Sequence, residues 1–138
     1  MIIVIGCSEK KEAGSVPAFD KYLARQHDVV RESIQDLWAA GHEVFILSAQ
    51  FGLVPAHKSI PDYDLRLTAD RAVELGKQVR KVLAEVEGDH DEVRVYGSKL
   101  YRSVVAAATS LPVEGIVGQD RGCGDHFSAL KQFLEDFI

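Results

Sequence analysis

Residues Met1–Gly6 read MIIVIG, with Ile and Val at four consecutive positions and no polar residue among them. A strand wetted on one face alternates apolar and polar residues. An unbroken Ile/Val run instead predicts a strand covered on both faces, as in the middle of a parallel sheet. Ser-Glu-Lys-Lys follows almost at once, without a basic segment ahead, so the run reads as a first strand and not as a signal peptide.

Outward from this strand, a polar loop with Gly14 and Pro17 leads to a helix from about His27 to Ala40. Its apolar stripe is Val30, Ile34, Leu37 and Trp38, and Gly41 sits where a helix stops. HEVFILSA (42–49) is a second strand. Thr68 is an N-cap for a long helix through Glu87, with Ala72, Leu75, Val79, Val82, Leu83 and Val86 on its buried face. EVRVYG (92–97) is a third strand, SKLYRSVVAAATS (98–110) a helix and PVEGIVG (112–118) a fourth strand. A last helix starts near Asp125 and buries Phe127, Leu130, Leu134 and Phe137. Four rounds of strand and helix predict an α/β fold: a single three-layer α/β/α domain, residues 1–138, around a mainly parallel four-stranded sheet.

The chain has 138 residues, 46% apolar and 27% charged, enough to close one hydrophobic core. A net charge of −5 argues against a generic basic grip on nucleic acid, though not against a local basic patch. No run approaches the length of a membrane span. Cys7 and Cys123 are the only cysteines, which implies no disulfide framework and suits the cytoplasm.

In open parallel sheets ligands collect beyond the carboxyl ends of the strands. The segments expected there are CSEKK (7–11), SAQFG (48–52), YGSKLYR (96–102) and GQDRGCG (118–124). Cys7, Ser8 and Lys10 offer a hydroxyl, amides and a cation suited to an anion, or else form a solvated turn. Gly97 and Ser98 open a helix carrying Tyr101 and Arg102, a second anion-friendly start whose tyrosine can stack on a base, or simply a capped helix. Gly124 belongs to a glycine-rich segment able to approach a ligand closely, or to a connecting loop. Cys7, Cys123 and His126 are too few and too loosely spaced for a metal site, and no cofactor is expected.

Between the second strand and the long helix lies LSAQFGLVPAHKSIPDYD (47–64). Gly52 and Pro55 give this loop a sharp course, while Phe51, Leu53 and Val54 pin it to the core. Its far end, Asp62-Tyr63-Asp64, is then held in place. A held carboxylate beside a sugar can stabilise an oxocarbenium-like transition state or activate water. The same two aspartates also read as turn and capping residues.

Three motifs together resemble a known group. These are Cys7-Ser8-x-Lys10, Ser48-Ala49-x-Phe51-Gly52-Leu53 and Ile60-Pro61-x-Tyr63-Asp64. The pattern is similar to small bacterial and phage proteins related to the peroxide-stress protein YaaA and the archaeosine synthase core domain, with a uracil-DNA-glycosylase-like α/β fold. The resemblance implies nucleobase or nucleotide chemistry. Ser8 and Lys10 would act on substrate with Asp64 as the catalytic carboxylate. Cys7, Ser48, Phe51, Gly52, Asp62, Tyr63, Gly97, Ser98, Tyr101, Arg102 and Gly124 would bind it. Gly6 stands where the archaeosine group has proline, which argues against nitrile-type chemistry. The leading reading is an enzyme that cleaves or exchanges an N-glycosidic bond. The alternative is a non-catalytic protein binding a nucleotide or single-stranded nucleic acid.

Overall fold

Ile2–Gly6 forms the central strand, β1, buried along its whole length. The computed structural model describes residues 1–6, 14–21, 25–61, 63, 68–116 and 123–136. In chain order the elements are β1, β2 (Val16–Pro17), α1 (Ala18–Lys21), α2 (Arg25–Ala39), β3 (Glu43–Ser48), β4 (Gly52–Pro55), β5 (Ser59–Ile60) and α3 (Ala69–Val86). A 3-10 turn (Glu87–Asp89), β6 (Val93–Tyr96), α4 (Lys99–Ala106), β7 (Val113–Gly115) and α5 (Cys123–Asp136) follow.

The main sheet has five strands in the order β4-β3-β1-β6-β7. β1 pairs in parallel with β3 (Ile2 beside Glu43) and with β6 (Ile2 beside Val93), and β6 pairs in parallel with β7. The four expected strands are therefore adjacent and parallel. The fifth, β4, is antiparallel and lies in the segment read above as loop, so the sheet is larger than the four strands expected. Gly52 and Pro55 look like loop punctuation, but proline is tolerated at the end of an edge strand, where no ladder partner needs its missing N–H. A separate ribbon pairs β2 with β5, Val16 opposite Ile60.

Side chains alternate along β1, and each parity feeds a different core. Ile3 and Ile5 join Val30, Ile34 and Leu37 of α2 and Leu130 and Leu134 of α5. Ile2 and Val4 join Leu75, Val79 and Leu83 of α3 and Val104 and Val105 of α4. Helices thus cover both faces, which is why β1 shows no polar residue. The α3 stripe expected from spacing is buried at Ala72, Leu75, Val79 and Leu83 and half-buried at Val82 and Val86. Thr68 is its N-cap, the hydroxyl oxygen accepting from the Arg71 amide at 3.2 Å. Phe127 and Phe137 lie outside the described side chains. No helix among the described residues is long and apolar enough to cross a membrane.

Candidate functional site

The chain leaves β1 toward β3 on one side and later returns to β6 on the other. The connections therefore diverge between the carboxyl ends of β1 and β6, the place where ligands bind in open α/β sheets. Gly6 ends β1, and Gly97 follows β6 directly. Tyr101, in the first turn of α4, lies across both. A Cβ at Gly6 would meet the Tyr101 ring at 3.4 Å, and one at Gly97 would come within 3.0 Å of the Tyr101 Cβ. Two missing side chains thus let one aromatic ring settle on the backbone of the crevice while part of it faces solvent. Ser98 is the N-cap residue of α4 and is exposed. Its hydroxyl makes no capping bond.

The SAQFGL segment is a hairpin whose polar groups are consumed internally. The Ser48 hydroxyl, fully buried at the end of β3, accepts the amides of Gln50 and Phe51 at 3.2 and 3.1 Å. Arg71 donates from Nε to the Ala49 carbonyl (2.8 Å) and from Nη2 to the Gln50 carbonyl (2.7 Å), closing the turn from the start of α3. Gly52 adopts φ +77°, and a Cβ there would fall 2.1 Å from Gln78 Oε1. That oxygen accepts the Leu53 amide at 2.9 Å, and Gln78 Nε2 donates to the Leu53 carbonyl at 3.4 Å. A side-chain amide therefore takes the place of a further strand on the outer edge of β4, protecting it from pairing with another chain. Ser48 and Gly52, expected to touch ligand, do identifiable work in the turn.

Phe51 leaves this turn toward the α2/α5 face and meets Tyr63 edge-on, ring centroids 5.3 Å apart at 81°. The chain just before Asp64 is therefore anchored to the hairpin, as the sequence suggested. Tyr63 and Tyr101 belong to the cores on opposite faces of the sheet. They flank the rim from two sides instead of stacking together, because the connections that carry them run over different faces.

Arg102, one position beyond Tyr101, points elsewhere. With Lys99, Ser103 and Ala106 of α4 and Val113 and Gly115 of β7, it lines a groove of about 320 Å³ at the far edge of the sheet. Gly124 lies in the first turn of α5. Cys7, Ser8, Lys10, Asp62 and Asp64 lie outside the described residues. Among the described residues no three His, Cys, Asp or Glu side chains gather as a metal site.

Sequence reasoning did not single out Arg71, Gln78 or Lys21. Lys21 in α1 is fully buried, and its Nζ donates to the Gly14 carbonyl at 2.6 Å. A buried ammonium is held in place only by such partners. The helical spacing of Arg71 and Gln78 puts both on the hairpin side of α3, a signal that became readable only once β4 was known to be a strand.

This geometry defines an α/β protein with a reversal of strand order at β1/β6 and a glycine-floored, tyrosine-covered crevice above it. The sequence matches the family of unknown function DUF6884 over residues 2–122, most of its length, and the chain belongs to that family. No curated protein matches it.

Proposed function

We propose that this protein processes a nucleotide or nucleobase at the carboxyl rim of its sheet, cleaving or exchanging an N-glycosidic bond. The observation that carries the reading is Tyr101 resting on Gly6 and Gly97 at the strand-order reversal, an aromatic surface with backbone amides beside it. A planar base can stack on such a ring, an interaction worth about 1–3 kcal/mol per base. The motif resemblance to the YaaA-related group points to the same chemistry.

Asp64 supplies the carboxylate. In sequence it follows Tyr63, which packs edge-on against Phe51. Its charge stabilises the sugar cation as the base departs, water or a second base takes the vacated carbon, and the departing base takes up a proton. Ser8 and Lys10 hold the phosphate in this scheme. Cys7 and Cys123 fit a reducing cytoplasm, and no cofactor is required.

A thermal-shift screen against nucleotides, modified nucleosides and short single strands tests the reading, followed by assay of hits for released free base. A ligand present at 100 times its dissociation constant should stabilise the fold by about 2.7 kcal/mol. Asp64→Asn should abolish release while binding persists. Binding without release in the parent protein would leave a nucleotide-binding protein without turnover. Absence of any hit would remove the proposal.

A further inference from the structure

The groove between α4 and β7 is separate from the crevice at β1/β6 and contains an unexplained charge. Arg31, Arg71, Arg80 and Arg94 each donate a side-chain hydrogen bond within the chain. Arg102 makes no side-chain bond to any described residue, and its buried Nε has no partner among them. Leaving a buried donor unsatisfied costs about 1–3 kcal/mol, and more for a charged group. Lys99 lies one turn earlier on the same wall. Residues 98–113 contain no Asp or Glu, although the chain carries a net charge of −5. Glu114 of β7 bonds instead with Arg94, at 3.2 Å. The Ser103 hydroxyl donates to the Leu100 carbonyl at 2.8 Å, so it adds no donor to the groove.

We infer that the α4–β7 groove binds a phosphate group, held by the guanidinium of Arg102 and the ammonium of Lys99. A guanidinium edge matches two phosphate oxygens at once, and a second cation suits a dianion or an ester beside another phosphate better than a lone carboxylate. The groove has room for more than the phosphate itself, so the source is a nucleotide or a nucleic-acid backbone. The inference does not depend on base chemistry at the rim.

The test uses the full chain, 15N-labelled and in phosphate-free buffer, following the Nε–H signals of its arginines. Titrants are inorganic phosphate, pyrophosphate, acetate, a nucleoside, its 5′-mononucleotide and a short single strand. Phosphate and pyrophosphate should shift Arg102 Nε–H saturably, and acetate should not. Arg102→Gln should weaken pyrophosphate binding about tenfold, equivalent to about 1.4 kcal/mol. Lys99→Gln, on an exposed position, should weaken it by roughly threefold, equivalent to about 0.65 kcal/mol, and serves if the arginine variant fails to fold. Stronger binding of the single strand than of the mononucleotide would assign the phosphate to a polymer, and the reverse order to a free nucleotide. An unmoved Arg102 signal, equal response to acetate, or pyrophosphate binding unchanged in both variants would overturn the inference. A nucleoside that shifts Gly6 and Gly97 while phosphate never moves Arg102 would leave the rim proposal standing alone. The opposite pattern would remove the rim proposal and keep the groove.

Discussion

Arg71 and Arg102 sit in the first turns of neighbouring helices, α3 and α4, and serve the two edges of the same sheet differently. Arg71 reaches the Ala49 and Gln50 carbonyls and pairs with Glu74 at 2.8 Å, so its charge is used within the fold. Gln78 completes that edge by pairing with Leu53. Arg102, beside β7, lines a groove with a buried Nε that bonds to nothing described. One edge is finished by the chain itself. The other, in the phosphate-binding proposal, keeps its guanidinium for a ligand. A motif made of polar residues can therefore be architectural, while an ordinary Lys/Arg pair on a short helix can be the better sign of a ligand.

The comparison is broken most severely at Gly52. Gly52→Ala forces a side chain into φ +77° and onto Gln78. Left-handed strain of about 1–2 kcal/mol adds to two displaced hydrogen bonds worth about 0.5–1.5 kcal/mol each. Denaturant unfolding should register a loss of about 2–5 kcal/mol. If the variant matches the parent, the Gln78 clasp is not what finishes the β4 edge. Arg71→Met should cost about 1–2 kcal/mol by the same measurement, since it frees two carbonyls of the turn.

Arg102→Met should behave unlike Arg71→Met. It removes a charge with no described partner and keeps an apolar stem, so stability should change by less than about 0.5 kcal/mol or rise. A loss as large as that of Arg71→Met would mean that Arg102 is a structural clasp too. Gly97→Ala sharpens the contrast at the rim. The added methyl comes within 3.0 Å of the Tyr101 Cβ, so the ring must shift. Stability should fall by less than about 1 kcal/mol, while affinity for any rim ligand falls about tenfold. Calorimetric titration of a screening hit checks the second quantity.

The central strands and the long helix were legible because each carries its own signal. Ile2–Ile5 is unbroken, and α3 has a capping threonine and a stripe at helical spacing. β4 was not legible because its partner on the outer edge is a side chain, Gln78, distant in sequence, and because Gly52 reads as a break. The candidate site divides similarly. Anchoring of Tyr63 by Phe51 is local to one connection and could be anticipated. The seat of Tyr101 on Gly6 joins the first strand to the fourth helix, which no local pattern reveals. Tyr101 and Arg102 are adjacent in sequence and were expected at one ligand. The helix turns about 100° per residue, which sends one over β1 and the other over β7.

The most direct test of nucleotide chemistry at the rim is a backbone amide titration of the 15N-labelled chain with the nucleosides and nucleotides that stabilise it. Saturable shifts at Gly6, Gly97, Ser98 and Tyr101, lost in Tyr101→Ala while the rest of the spectrum is kept, are the predicted result. No stabilising ligand among them, or saturable shifts that leave the ends of β1 and β6 untouched, would contradict it.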